Sequence, residues 1–278
     1  MDVISEKKEE ILTLLAKYKF LTVSQLETLG VSSKQYLQKT LKVLRETKLT
    51  NRIEYAFTAK LGKFEDIHFL TSRGATAIAQ GGIMNIEEIQ VPSNSQPIFF
   101  NDYVHRIRTV DCQIAFDQWT AQTGRTSVFF ECYYHKIGSN RKKAQTGVLQ
   151  AKTRLYFDDG KYFEPDGVFM YENEQGEKTL ATIEICNNRD TKKIENQVKN
   201  HLLAFQEGLA KKKYEHDKGN YILFVFSEPD IMKFTIDRLL KNPNILKAEP
   251  FLLFKSLKQL EPFGSDWVKL TGEMTALK

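Results

Sequence analysis

Cysteine is scarce in this chain: 278 residues contain three, Cys112, Cys132 and Cys186. They form no CxxC and an odd number cannot all pair. That excludes a disulfide scaffold and a structural zinc site, and fits a reducing cytoplasm. Long apolar runs are missing as well. The longest, Tyr221 to Phe226, is far short of the roughly 18 residues a membrane span requires, so no spanning helix and no membrane partner is expected. The opening MDVISEKKEE lacks the basic-then-apolar layout of a signal peptide, and a cytoplasmic location is expected. No GxSxG, Walker lysine loop, HExxH or GxGxxG occurs. Hydrolase, NTPase, zincin and dinucleotide-binding chemistries therefore lack their motifs.

What is present suits a globular protein with more than one domain. Hydrophobic residues make up 41% and charged residues 27%, and 19 Phe with 11 Tyr supply material for a sizeable core. The net charge of +5 is unevenly spread. Residues 1–80 hold 13 Lys+Arg against 9 Asp+Glu, whereas the rest is close to neutral. Within that neutral part, His135 to Arg154 contains six cations (Lys136, Arg141, Lys142, Lys143, Lys152 and Arg154) and no acid. Such a cluster either attracts a polyanion or is a solvated loop.

The first eighty residues read as three helices and a ribbon. Ile11, Leu14, Leu15 and Tyr18 recur at helical spacing within 6–18. Thr22 precedes a short helix closed by Gly30, and Ser32 and Ser33 precede a third, KQYLQKTLKVLRETKL. The third helix has an apolar stripe of Tyr36, Leu37, Leu41, Val43 and Leu44. Its other face carries Lys34, Lys39, Lys42 and Arg45. Two strand-like pieces follow, RIEYAFTA and DIHFLT, joined by a turn containing Lys60 and Lys63, and then a small helix, SRGATAIAQ. This order resembles a winged helix-turn-helix, in which the cationic third helix enters the major groove and the wing grips phosphate. The same fold also serves as a protein-interaction module. Residues 81–99, with Gly81, Gly82, Pro92 and Pro97, read as a linker.

From residue 100 the pattern changes to a mixed α/β domain. A long helix over 101–122 places Tyr103, Val104, Ile107, Ile114 and Ala115 in one apolar arc, with Asp111 in its middle and His105 at its edge. A carboxylate there needs a metal or a buried polar partner. Strand-like segments follow at SVFFECYY, TRLYF, FEPDGVFMYE and KTLATIEIC. After them come a helix from about Thr191 to Lys212, the strand NYILFVF, a helix from Pro229 and the strand FLLFKSL. Asp166 begins one strand and Glu184 lies among the alternating apolar residues of the next. Neighbouring antiparallel strands would bring the two together. Hard divalent ions such as Mg²⁺ or Mn²⁺ favour such oxygen ligands.

Pro165-Asp166, the acid at Glu184 and the helix after it resemble the PD-(D/E)xK nuclease pattern. Gln197-Val198-Lys199-Asn200-His201 is similar to the Gln-x-x-x-Tyr motif of some members of that superfamily. The order of parts, including His105-x5-Asp111, resembles the replication–relaxation family of plasmid-mobilisation proteins. The resemblance covers about residues 8–226. It implies a winged helix over 1–80 and a restriction-endonuclease-like mixed-sheet domain over 100–278. It further implies metal-dependent nicking of duplex DNA, such as an origin of transfer, by a relaxase-like protein that works with other mobilisation or replication proteins. Asp166, Glu184 and Asp111 would bind the metal, with His105 or His201 acting on the DNA. The chain departs from the pattern at Cys186, where the nuclease lysine is expected, and at Gln197, where the relaxation family tends to have lysine. Lys193, one turn before Gln197, is either a migrated lysine or an exposed helix-start cation. Two other readings remain open: a non-catalytic origin-binding or regulatory protein that keeps the scaffold, and an assembly adaptor.

Overall fold

The computed structural model describes residues 5–55, 57–58, 62–89, 91–92, 102–138, 147–187 and 189–278. The chain is mixed α/β and divides into two compact units, residues 1–111 and 112–278. The division falls inside a long helix, so the first unit takes in residues assigned from sequence to the linker and to the second domain. Lys60, Arg141, Lys142 and Lys143 lie outside the described residues.

The first unit begins with helices α1 (Glu6–Tyr18), α2 (Val23–Thr28) and α3 (Lys34–Glu46). Helix α2 starts where expected. Oγ1 of Thr22 accepts from the Gln25 amide while the Gln25 side chain accepts from the Thr22 amide, a reciprocal cap that satisfies two otherwise orphaned donors. On α3 the buried stripe is Leu37, Thr40, Leu41 and Leu44. Tyr36 and Val43, expected on that stripe, are exposed. Each lies about 100° round the helix from a buried leucine, which puts it on the flank.

Strand β1 (Thr50–Ile53) pairs antiparallel with β4 (Ile67–Leu70), and between them the short strands β2 (Phe57–Thr58) and β3 (Gly62–Lys63) form a hairpin. Helix α4 (Ser72–Gln80) is capped by Thr71, whose side chain accepts from the Gly74 amide. Gly74 sits against the backbone of Leu49 with no room for a Cβ, so any side chain there would force α4 away from the ribbon. The long helix α5 (Tyr103–Gln122) follows. Its first turn belongs to the first unit because the Tyr103 ring stacks on Phe64 and meets Tyr55 edge-on, each with centroids 4.5 Å apart.

The second unit is built on a seven-stranded sheet. Strands β5 (Thr126–Cys132), β10 (Gly167–Glu172) and β11 (Lys178–Cys186) form an antiparallel run. Between β5 and β10 lie two small hairpins, β6 (Lys136–Ile137) with β7 (Gln150–Ala151) and β8 (Leu155–Tyr156) with β9 (Tyr162–Phe163).

Helices α6 (Thr191–Gln206) and α7 (Leu209–Lys213) then cross over to β12 (Asn220–Phe226), which lies parallel to β11. The single helix expected to Lys212 is interrupted at Gly208, which adopts φ +64°. A second crossover through α8 (Pro229–Leu239) and α9 (Pro243–Leu246) brings β13 (Leu252–Ser256) parallel to β12. The tail adds two antiparallel edge strands that the sequence reading lacked, β14 (Trp267–Lys269) and β15 (Met274–Thr275).

The sheet is covered on both faces, which explains why β12 is apolar without alternation. On one face Ile194, Val198 and Leu202 of α6 and Leu239 of α8 pack on Cys186, Phe224, Phe226 and Phe254. On the other, Phe116 and Trp119 of α5 meet Phe130, Phe169, Tyr171 and Phe263. Lys255 is buried in β13, where its Nζ donates to the carbonyls of Pro262 and Ser265, each at 2.6 Å. No helix among the described residues is long and apolar enough to cross a membrane.

Candidate functional site

Asp166 stands immediately before β10. Gly167 pairs with Ile183, so one further step along the same register sets Asp166 opposite Glu184. Both acids are buried. Oδ2 of Asp166 accepts from the Ile185 amide at 2.7 Å, and its carbonyl accepts from the Tyr133 amide at 3.0 Å. The neighbouring strand ends therefore fix this residue from both sides, its carboxylate through Ile185 and its backbone through Tyr133.

Glu184 shares its face of β11 with Thr182 and Cys186, since alternate residues of a strand point the same way. Helix α6 lies over that face. Asp190 caps the helix, its side chain accepting from the amides of Lys192 and Lys193 at 3.0 and 3.1 Å. The cap fixes where Lys193, Gln197 and His201 fall, and their four-residue spacing aligns them in one row. Gln197 Nε2 donates to Oε1 of Glu184. Nε2 of His201 lies 3.2 Å from Oε2 of Glu184, and its Nδ1 lies 3.2 Å from Oγ1 of Thr182. Lys193 is exposed at the outer end of the row.

Burial raises the Glu184 carboxyl well above the ordinary range, and the neighbouring charge of Asp166 raises it further. The Gln197 hydrogen bond and the Lys193 charge pull it back. Burial pushes the His201 imidazole down to about 3, so it is neutral at physiological pH. Two proton arrangements satisfy every partner. In one, Nε2–H of His201 donates to ionised Glu184 while Thr182 donates to Nδ1. In the other, protonated Glu184 donates to Nε2 and Nδ1–H donates to Thr182. Cys186 is buried, and burial followed by the two acids raises its thiol well above the usual value. It is a neutral packing group and supplies no positive charge in place of a lysine.

Asp111 and His105 belong to the first unit. Oδ1 of Asp111 accepts from Gln25 Nε2 at 2.7 Å, and Gln25 also donates to the Ile107 carbonyl at 3.2 Å. Asp111 is thus held by a buried polar group, one of the two expectations for it, and burial raises its carboxyl to about 6. His105 is half-buried on the first turns of α5, and its carbonyl accepts from the Thr109 hydroxyl at 2.9 Å. Among the described residues no three His, Cys, Asp or Glu side chains gather in a metal-binding group.

Of the cations, Lys34, Lys39 and Lys42 are exposed on α3 and Arg45 is half-buried. Lys34 lies 3.6 Å from Glu27 and Lys42 lies 3.9 Å from Glu46. Lys63 and Lys136 are exposed. In the basic run, Lys152 is matched by Glu131 at 3.7 Å and Arg154 by Glu164 at 2.6 Å. Those two cations are thus balanced by acids from outside the segment.

The sequence reading passed over Thr182, which orients His201, and the cross-strand pair Arg52 and His68 in the first unit. Thr182 left a signal in its alternation with Glu184. The Arg52–His68 pairing left none.

No protein-family model matches this chain, and no curated protein or solved structure matches it.

Proposed function

We propose that the protein binds duplex DNA through residues 1–80, as a winged helix-turn-helix, and cleaves one strand with a divalent metal at a PD-(D/E)xK-like centre in the second unit. The setting would be a plasmid or integrative element, by resemblance to the replication–relaxation family. The observation that carries the reading is the pairing of Asp166 and Glu184 on adjacent antiparallel strands, crossed by the row Lys193, Gln197, His201.

The donor set suits Mg²⁺ or Mn²⁺. Asp166 and Glu184 offer hard oxygens from two directions, and ions of this kind take one or two carboxylates and complete their shell with water. Each carboxylate oxygen has two lone pairs, so the hydrogen bonds from Ile185, Gln197 and His201 leave acceptor capacity. Two adjacent buried carboxylates repel, and a divalent charge would relieve that repulsion. When bound, the ion supplies Lewis acidity at a phosphoryl oxygen and a hydroxide nucleophile.

In this reading the chain's own groups do the positioning. Asp166 is locked by the Ile185 amide. Gln197 and neutral His201 orient Glu184, with Thr182 fixing the imidazole. Lys193 is the one lysine of the row; its charge acts on Glu184 from the solvent side, and it would supply the positive charge that the pattern's lysine otherwise gives.

A second reading has its own observation. Both oxygens of Glu184 already have partners, and Cys186 is a neutral thiol where the pattern wants lysine. On that basis the second unit is a scaffold and the protein is a non-catalytic origin binder or regulator. A plasmid-nicking assay with Mn²⁺ separates the two. Relaxation of supercoiled plasmid by the wild type but not by Asp166→Ala supports cleavage. Equal behaviour of the two proteins removes it.

A further inference from the structure

On α3, Gln38, Lys42 and Arg45 follow at steps of four and three residues and so share one face. Arg52 of β1 pairs directly with His68 of β4. Directly opposed residues of an antiparallel pair project from the same side of the ribbon. The α3 face and this ribbon face border a cleft of about 440 Å³ that Lys63 to Asp66 also line.

The charge of the cleft is unbalanced. Lys42, Arg45, Arg52 and Lys63 all line it. Of its two acids, Asp66 is bound by Arg52 at 3.0 Å; Arg52 also meets Glu54, and Lys42 lies 3.9 Å from Glu46, which leaves Arg45 and Lys63 as the excess charge. Glu65 accepts from the amide and hydroxyl of Ser24, at 3.2 and 2.5 Å. Burial, and then the neighbouring Arg52, push the Arg45 guanidinium below its ordinary value.

His68 provides an independent sign. It is 3% exposed and its Nδ1 has no hydrogen-bond partner. Burial, followed by Arg45 and Arg52, pushes this imidazole down to about 3. A buried ring nitrogen without a partner is costly, as is a partly desolvated guanidinium beside another. An acceptor-rich anion in the cleft would answer both, taking hydrogen bonds from Arg45 and from an Nδ1–H.

We propose that this cleft is a phosphoryl-anion site, with Lys42, Arg45 and Arg52 as its charge partners and His68 as its buried donor. Arginine suits the role because its planar fork matches phosphate oxygens. The phosphoryl group belongs either to the DNA backbone or to a free phosphate compound. The first source rests on the DNA-binding reading above, and the second does not.

The test uses the full chain with two probes, sodium pyrophosphate and a 20-base-pair duplex. The readouts are the His68 ring resonances and thermal melting, with chloride at matched ionic strength as the reference. Pyrophosphate should shift the His68 resonances, move its titration toward neutral pH and raise Tm by a few degrees beyond chloride. Arg45→Gln should abolish all three effects. Should Arg45→Gln fold poorly, Lys42→Gln at its exposed position should weaken pyrophosphate binding several-fold.

If the DNA backbone is the source, duplex also shifts the His68 resonances, and Arg45→Gln weakens duplex binding about tenfold. A response to pyrophosphate alone assigns the free anion and leaves the site intact even if duplex does not bind. Duplex binding with silent His68 resonances, and silence toward pyrophosphate as well, overturns the site while leaving the DNA-binding reading standing. A pyrophosphate response no larger than that of chloride, or one that survives in both variants, overturns it too.

Discussion

Nε2 of His201 lies 3.2 Å from Oε2 of Glu184, and both side chains are buried between α6 and the sheet. The contact joins two groups whose charged forms are both disfavoured by burial. At neutral pH the imidazole is uncharged, so the contact is a hydrogen bond and not an ion pair. It holds Glu184 in place at low electrostatic cost, and it makes the site sensitive to pH in two opposite directions.

The His201 side of that sensitivity can be measured first. Its folded pKa of about 3 lies below the unfolded value of 6.5. The stability it contributes is therefore present above pH 6.5 and is lost as pH falls toward 3. At pH 5 the loss is about 2 kcal/mol, since protonation of the unfolded chain is then favoured by roughly 1.5 pH units. Urea unfolding of wild type and His201→Gln should show their stability difference narrowing by about that amount between pH 7 and pH 5. A constant difference would mean that the imidazole takes up protons in the fold as it does in the unfolded chain.

Glu184 gives the opposite sign and links to metal. Its raised carboxyl contributes stability that is complete below the ordinary glutamate range and is lost as pH rises through the folded value. Without metal, Glu184→Gln should melt higher than wild type at neutral pH. With Mn²⁺ the order should change. The ion stabilises only a chain that binds it, by about 2.7 kcal/mol at a hundredfold excess over Kd. Wild type should gain in Tm, and Asp166→Asn and Glu184→Gln should not. An equal gain in all three would place the metal somewhere other than this pair.

Duplex binding can be tested separately from the chemistry. Lys39 and Lys42 are exposed on α3, and the 3.9 Å contact of Lys42 with Glu46 is too open and too solvated to hold it. Lys39→Glu with Lys42→Glu should weaken duplex affinity on the order of tenfold or more, and should lower the slope of log K against log salt by about 2 as phosphate contacts are lost. Fluorescence anisotropy at several salt concentrations measures both. An unchanged slope would count against α3 as the DNA-binding helix.

Local signals were legible in the sequence wherever one element determines them. Thr22 announces the start of α2, and the SRGATAIAQ helix runs over the residues expected. The alternation around Ile183 and Ile185 marks β11 and sets Glu184 on the opposite face. Partners from distant elements were not legible. Asp111 stood out as a carboxylate on an apolar arc, yet its partner Gln25 comes from another helix far earlier in the chain. Lys152 and Arg154 looked unbalanced because Glu131 and Glu164 lie outside their segment. Strands β14 and β15 escaped notice because three and two residues are too few to carry a period.

Asp111 supplies the last test, and it decides between the two roles the sequence left open. Burial raises its carboxyl to about 6, while the Gln25 hydrogen bond and the Arg108 charge oppose that rise. A raised acid contributes stability that is complete below its unfolded value near 4 and is lost as pH climbs through 6. The cost of ionising it in the fold is then about 1–3 kcal/mol at pH 7.5. Asp111→Asn keeps an oxygen to accept from Gln25 Nε2 and removes the charge. If Asp111 is a packing group satisfied by Gln25, the variant should be more stable than wild type by about that amount at pH 7.5 and equal to it near pH 3, below the unfolded value. Plasmid nicking, if present in wild type, should then survive the substitution. A metal ligand behaves otherwise: the variant should lose nicking, and Mn²⁺ should stabilise it less than wild type. Melting curves at the two pH values, with and without Mn²⁺, distinguish the roles.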